Sequence, residues 1–134
     1  MPALLICLCK EDAGLVAAAK KYAASRTCYT YFGGRASGIR GLLATHSVSE
    51  IIITAHGSAN EIGEAVPNFM DRSAKDFAGI LNDTKFSGAV YFDVCDGYAF
   101  GVNVKNFLTE SKATIFGIKG VTGLEIDLSK CLSC

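Results

Sequence analysis

The chain has 134 residues, half of them hydrophobic and 19% charged, with a formal net charge of +0. That apolar content in a domain-sized chain specifies a packed core and excludes a disordered tail. Thirteen basic residues are balanced by 13 acidic ones and form no basic run, so nucleic acid has nothing to bind electrostatically.

The opening, Met1-Pro2-Ala3-Leu4-Leu5-Ile6-Cys7-Leu8-Cys9, has no positively charged start and stops at Lys10-Glu11-Asp12. It reads as a first strand, Leu4 to Cys9, and not as a signal segment. No run approaches the roughly 18 apolar residues of a membrane span. With neither export nor membrane indicated, the chain is expected in the cytoplasm, with its six cysteines as reduced thiols. The next element is a helix from Glu11 to Ser25, acidic at its start and carrying Lys20, Lys21 and Arg26 near its end, as the helix dipole prefers. Thr27 to Phe32 is a second strand, broken by Gly33-Gly34, and a short helix covers Ala36 to Thr45.

Ser49-Glu50-Ile51-Ile52-Ile53-Thr54-Ala55 supplies a third strand, Glu50 to Ala55, which ends at His56-Gly57. Gly57 to Asn68 is polar loop with a small hairpin at Asn60 to Val66. Asp71 to Leu81 is a helix with Phe77, Ile80 and Leu81 on its apolar face and Asp71, Asp76 and Asp83 on a solvated one. Ala89 to Val94 is a fourth strand, leading straight into Cys95-Asp96-Gly97. Tyr98 to Glu110 is a helix anchored by Val102, Phe107 and Leu108. Ala113 to Ile118 is a fifth strand, and Leu124 to Leu128 is the candidate sixth. Strands alternating with helices predict one α/β domain over residues 1–134. Its architecture is three-layer α/β/α, flavodoxin-like, with a mostly parallel sheet of about five or six strands.

In such a sheet the ligand crevice lies outside the carboxyl ends of the strands. His56 and Cys95 each stand at such an end. If their strands are neighbours, the ends are about 5 Å apart. An imidazole there can take the thiol proton and leave a thiolate nucleophile. The Gly57 and Cys95 amides are then candidate donors to a developing oxyanion. Strand alternation puts Asp93 on the same face as Cys95. An acidic side chain on so apolar a strand needs a partner. A structural cation, loop amides, or the basic side chain of a substrate would each serve. Taken singly, a cysteine at such a place is also an ordinary small core residue, and a histidine an ordinary structural one.

Together these residues resemble the caspase-like cysteine peptidases (clan CD: caspases, metacaspases, legumain, gingipains and CHAT-type relatives). The likeness lies in a strand ending in His-Gly, here His56-Gly57, and a later strand ending in Cys, here Cys95. Asp93-Val94-Cys95-Asp96-Gly97 is similar to the metacaspase motif Asp-x-Cys-x-x-Gly. It is one residue shorter before the glycine and has Asp96 where metacaspases have histidine. The resemblance covers roughly residues 51–123. It implies a caspase-like fold and an endopeptidase acting on a peptide or protein through a Cys95/His56 dyad, with Gly57 at the oxyanion site and no cofactor or metal. It also implies that Asp93 lines the pocket for the residue before the cut, hence cleavage after Arg or Lys. Two other readings stand beside it. One is a catalytically inactive caspase-like interaction module, whose apolar content would suit a partner surface or a homo-oligomer. The other is a small-ligand-binding α/β domain.

The remaining motifs are weaker. Cys131-x-x-Cys134 reads as incidental thiols, against a redox pair or half of a zinc site with Cys7 and Cys9. Gly33-Gly34-Arg35-Ala36-Ser37-Gly38 lacks the Gly-Lys-Ser/Thr of a phosphate loop. Gly101 stands where a cysteine phosphatase needs arginine. Gly117, Gly120 and Gly123 either admit a peptide backbone or simply turn the chain.

Overall fold

The run Ile51-Ile52-Ile53 is buried on every side chain, as a central strand of a parallel sheet covered on both faces must be. The computed structural model describes residues 2–63 and 72–134. In chain order its elements are β1 (Ala3–Cys7), α1 (Ala13–Ala24), β2 (Cys28–Phe32), α2 (Ala36–Thr45), β3 (Glu50–Thr54), β4 (His56–Gly57), β5 (Glu61–Gly63), β6 (Arg72–Ser73), α3 (Ala74–Thr84), β7 (Ala89–Asp93), α4 (Gly97–Asn106), β8 (Thr114–Gly117), a 3-10 turn (Leu128–Lys130) and β9 (Leu132–Ser133). The main sheet has six strands in the order β2-β1-β3-β7-β8-β9. The first five are parallel and β9 alone runs antiparallel, at the edge. A separate antiparallel ribbon, β4-β5-β6, stands at the carboxyl end of β3.

The parallel register fixes which side chains share a face. Ile6, Ile53 and Phe92 lie level on one face. There Phe92 meets Phe77 of α3 and Phe100 of α4 edge-on, with centroids 5.2 and 5.0 Å apart. Leu5, Ile52, Tyr91 and Phe116 line up on the other face, where Tyr91 stacks on Phe116 at 4.8 Å. That face is covered by α1 and by the segment between β8 and β9, which meet at the Lys21–Glu125 ion pair. The result is a three-layer α/β/α arrangement.

Helix ends are set by their capping residues. Asp12 caps α1 by accepting the Leu15 N–H at 3.1 Å, and Ser73 caps α3 by accepting that of Asp76 at 3.1 Å. Glu11 and Asp12 therefore precede the first helix and do not form its first turn. Helix α3 begins at Ala74, later than the Asp71 expected; Asp71 lies outside the described residues, as does the far part of the expected Asn60 to Val66 hairpin. The described hairpin instead pairs β5 with His56-Gly57.

Two expectations are corrected. In α4 the face toward the sheet is Phe100, Gly101 and Val104. Phe107, expected as an anchor, falls after the last helical turn and is 45% exposed. Leu124 to Leu128 is not the sixth strand. The chain there crosses over α1 and Asp93, and the sixth strand is Leu132–Ser133. That segment is a crossing, exposed at Leu124 and Glu125 and partly buried from Ile126 to Leu128, and not a ladder.

Among the described residues no helix is long and apolar enough to cross a membrane. Because Phe92 joins the sheet to two helices and is fully buried, Phe92→Ala should cost about 3–5 kcal/mol. Urea denaturation should show a lowered midpoint with an unchanged m-value.

Candidate active site

Strands β3 and β7 are direct neighbours, with Thr54 level with Asp93. Both carboxyl ends therefore open on the same edge. The pleat stops at Asp93. Val94 and Cys95 lie in a turn that runs at once into α4, through Asp96 in the left-handed region at φ +56°. Alternation thus does not extend to Cys95, and Cys95 is a turn residue, not the last residue of the strand. Its thiol is half-buried. The sulfur accepts the Thr122 N–H at 3.4 Å and stands 3.8 Å from the Thr122 carbonyl oxygen. The Asp96 N–H donates to Gly120 O at 2.8 Å and the Gly97 N–H to Val94 O at 3.0 Å. The Cys95 N–H has no acceptor among the described residues. Asp96 points to solvent and makes no capping bond.

His56 is held at two points by the junction between β1 and α1. Its backbone N–H donates to Cys9 Sγ at 3.4 Å, and Cys9 in turn donates its thiol proton to the Gly63 carbonyl. Its ring Nε2 stands 2.8 Å from Asp12 Oδ2, with the two side chains 35% and 30% exposed. The Leu15 N–H first, and the His56 ring second, hold the Asp12 carboxyl below its usual range. One carboxylate so caps a helix with one oxygen and engages an imidazole with the other. No hydrogen bond joins His56 to Cys95.

Gly57 is what brings the two chain ends together. A Cβ there would stand 2.5 Å from the Cys95 carbonyl oxygen and 2.7 Å from Val94 Cγ2. The need for glycine at this position is thus a close backbone approach to the cysteine turn.

Asp93 is 3% exposed. Its Oδ2 accepts the Asp127 N–H at 2.8 Å, the loop-amide partner the sequence allowed, while its other oxygen has no hydrogen bond among the described residues. Burial pushes its carboxyl up to about 6; the Asp127 N–H opposes that, the Asp127 charge adds to it, and Lys130 opposes it. Asp93 and Cys95 are therefore both engaged by one segment, residues 118–131.

The other sequence candidates separate. Cys131 and Cys134 flank β9, four strand positions from β1, which ends at Cys7 just before Cys9, so they do not form one zinc site. Burial first, then the Asp93 and Asp127 charges, pushes the Cys131 thiol up to about 12, and burial raises Cys134 too. Neither is a ready thiolate. Among the described residues no three metal-ligating side chains cluster. A Cβ on Gly117 would meet the Gly97 carbonyl at 2.2 Å, so Gly117 permits a close approach; Gly120 turns the chain at φ +75°, and Gly123 faces open space.

Sequence reasoning missed Asp12, Cys9 and Thr122. Asp12 sits directly after β1, the strand beside β3, yet 44 residues separate it from His56. Only the strand order places them together. Compared with known proteins, the chain matches no protein-family model and no curated protein.

This geometry has two measurable consequences. Asp12→Ser keeps a good helix cap but is too short to reach the imidazole. Its melting temperature should stay close to wild type, while the nitrogen NMR signals of His56 should shift from a fixed Nε2–H form to a mixture of tautomers. Asp93 holds its proton to a higher pH when folded, from an ordinary 3.8 to about 6. The stability it contributes is complete below about pH 4 and is lost as pH rises through 6. Relative to wild type, Asp93→Asn should therefore gain roughly 1–3 kcal/mol between pH 4 and pH 7, measured by urea midpoints at the two values.

Proposed function

We propose that this chain is a cysteine endopeptidase of caspase-like type, cleaving peptides or proteins after Arg or Lys. The observation that carries the reading is the edge shared by β3 and β7. It presents an imidazole already held by a carboxylate, and beside it a cysteine at the start of a helix with its own amide unoccupied. With Nε2–H donating to Asp12, Nδ1 of His56 is the basic nitrogen. His56 takes the Cys95 proton as substrate enters. Sulfur then attacks the scissile carbonyl, and the Cys95 and Gly57 amides receive the oxyanion. Collapse expels the amine, which leaves with a proton from His56, and water hydrolyses the thioester with His56 as base. Asp12 acts as a positioning residue. Asp93, buried and with an oxygen to spare, suits a cationic side chain and opposes an anionic one. None of these steps calls for a cofactor, and reduced thiols accord with a cytoplasmic setting.

One observation favours the inactive interaction module instead. Cys95 is bonded to Thr122 and not to His56. Cleavage of fluorogenic peptides that differ only in the residue before the cut decides between them. The peptidase reading expects turnover after Arg or Lys that falls by roughly 10³-fold or more in Cys95→Ala and in His56→Ala. The double variant should be no worse than either, since the two act as a unit. Asp93→Asn should reduce the preference for basic residues while sparing turnover of neutral ones. Equal turnover in wild type and Cys95→Ala sinks the reading. A folded wild type without any turnover supports the interaction module.

A further inference from the structure

Residues 118–131 leave β8, cross the carboxyl edge of the sheet and return as β9. Their two ends are firmly tied. Near β8, Ile118 O accepts from Tyr98 N and Gly120 O from Asp96 N, each at 2.8 Å. Toward β9, Asp127 N bonds Asp93, and Lys130 N and Cys131 N close the 3-10 turn on Asp127 O and Leu128 O. The middle is loosely held. Val121 is 90% exposed and Leu124 51% exposed, Leu124 resting against Gly14 of α1, and Glu125 pairs with Lys21, both exposed. Gly120, in the left-handed region, and Gly123, in open space, bracket Val121-Thr122, the part that reaches Cys95.

Among the described residues, the middle meets the interior of the site where Thr122 reaches Cys95. Both the amide and the carbonyl of Thr122 face the sulfur, at 3.4 and 3.8 Å. A substrate carbonyl must occupy that same shell, about 3–3.5 Å from the nucleophile, before it can be attacked. Asp127 meanwhile occupies one oxygen of Asp93.

We infer that residues 118–131 are a self-occupying strap: the resting chain places its own Thr122 peptide unit on Cys95, and substrate must displace it. The inference rests on the peptidase reading for its biological meaning but not for its test. Between its tied ends the strap is closed by the Thr122 contact and the Leu124 seat, each individually weak, so the middle can open while the ends stay bound. Breaking the Thr122 contact should raise the exposure of the thiol by about fivefold to tenfold, the worth of one backbone hydrogen bond.

The test is the rate at which iodoacetamide alkylates Cys95 in the full chain, read out by peptide mapping, with half-buried Cys28 on β2 as internal reference. Thr122→Pro removes the N–H that reaches the sulfur. Leu124→Ser weakens the seat on Gly14 without touching Cys95. Cys95 should react about fivefold to tenfold faster in Thr122→Pro and measurably faster in Leu124→Ser, with Cys28 unchanged. Rates within twofold of wild type in both variants overturn the strap. Should Thr122→Pro fail to fold, hydrogen exchange at the Thr122 amide decides alongside Leu124→Ser. Capping Cys95 with an arginyl chloromethyl ketone should abolish its protection, and unchanged protection overturns the inference. Faster alkylation without any peptide cleavage sinks the peptidase reading alone, whereas cleavage with unchanged alkylation sinks the strap alone.

Discussion

The parallel pairing of β3 with β7, Thr54 level with Asp93, is the constraint on which the rest of the site depends. Parallel strands send their carboxyl ends to one edge, so the residues just beyond each strand meet there whatever their distance in sequence. β1 lies on the other side of β3, in the same register and direction. Reading across that edge, the three strands deliver Asp12, then His56, then Cys95. The sheet order also puts its switch between β1 and β3: α1 departs to one face, while α3 and α4 cover the other at Phe92. The imidazole thus stands in the crevice that a doubly wound sheet leaves open by its winding.

Close packing does the fine positioning. Glycine at position 57 lets β4 lie on the Cys95 carbonyl, and glycine at 117 lets β8 lie on the start of α4. Any side chain at either place would have to push backbone, not a flexible neighbour, and so would move the cysteine turn. Cys9 fixes the main chain of His56 and Asp12 fixes its ring. Two anchors on one short junction thus hold both the main chain and the ring of His56.

How much of this was legible in the sequence divides along contact range. The five parallel strands and four helices are written in local patterns: the Ile51-Ile52-Ile53 run, the apolar face of α3, the glycines that break β2 from α2. His56 and Cys95 could be singled out because each comes just after such a strand. Local pattern does not carry order across the sheet, and Asp12, Cys9 and Thr122 all owe their places to it. The extended look of Leu124 to Leu128 misled for the same reason, since whether such a run pairs as a strand depends on what it meets, and this one meets Lys21 of α1 and Asp93. The expected shared face of Asp93 and Cys95 did not hold, because the pleat ends between them, although both side chains still meet the same segment.

Asp93 is the residue whose presence packing does not explain. An apolar side chain of similar shape at that level of the sheet would have no desolvation cost, while a buried carboxylate with one bonded oxygen is unfavourable unless something completes its partners. Its raised carboxyl records that imbalance. The Asp127 amide supplies one donor, and Lys130 contributes only its field. On the proposed reading the missing donor is the cation of a substrate. That cation would arrive where Asp127 is tied, on the same strap whose Thr122 covers the nucleophile. On that reading the pocket carboxylate and the nucleophile are both contacted by one segment, Asp127 at the first and Thr122 at the second.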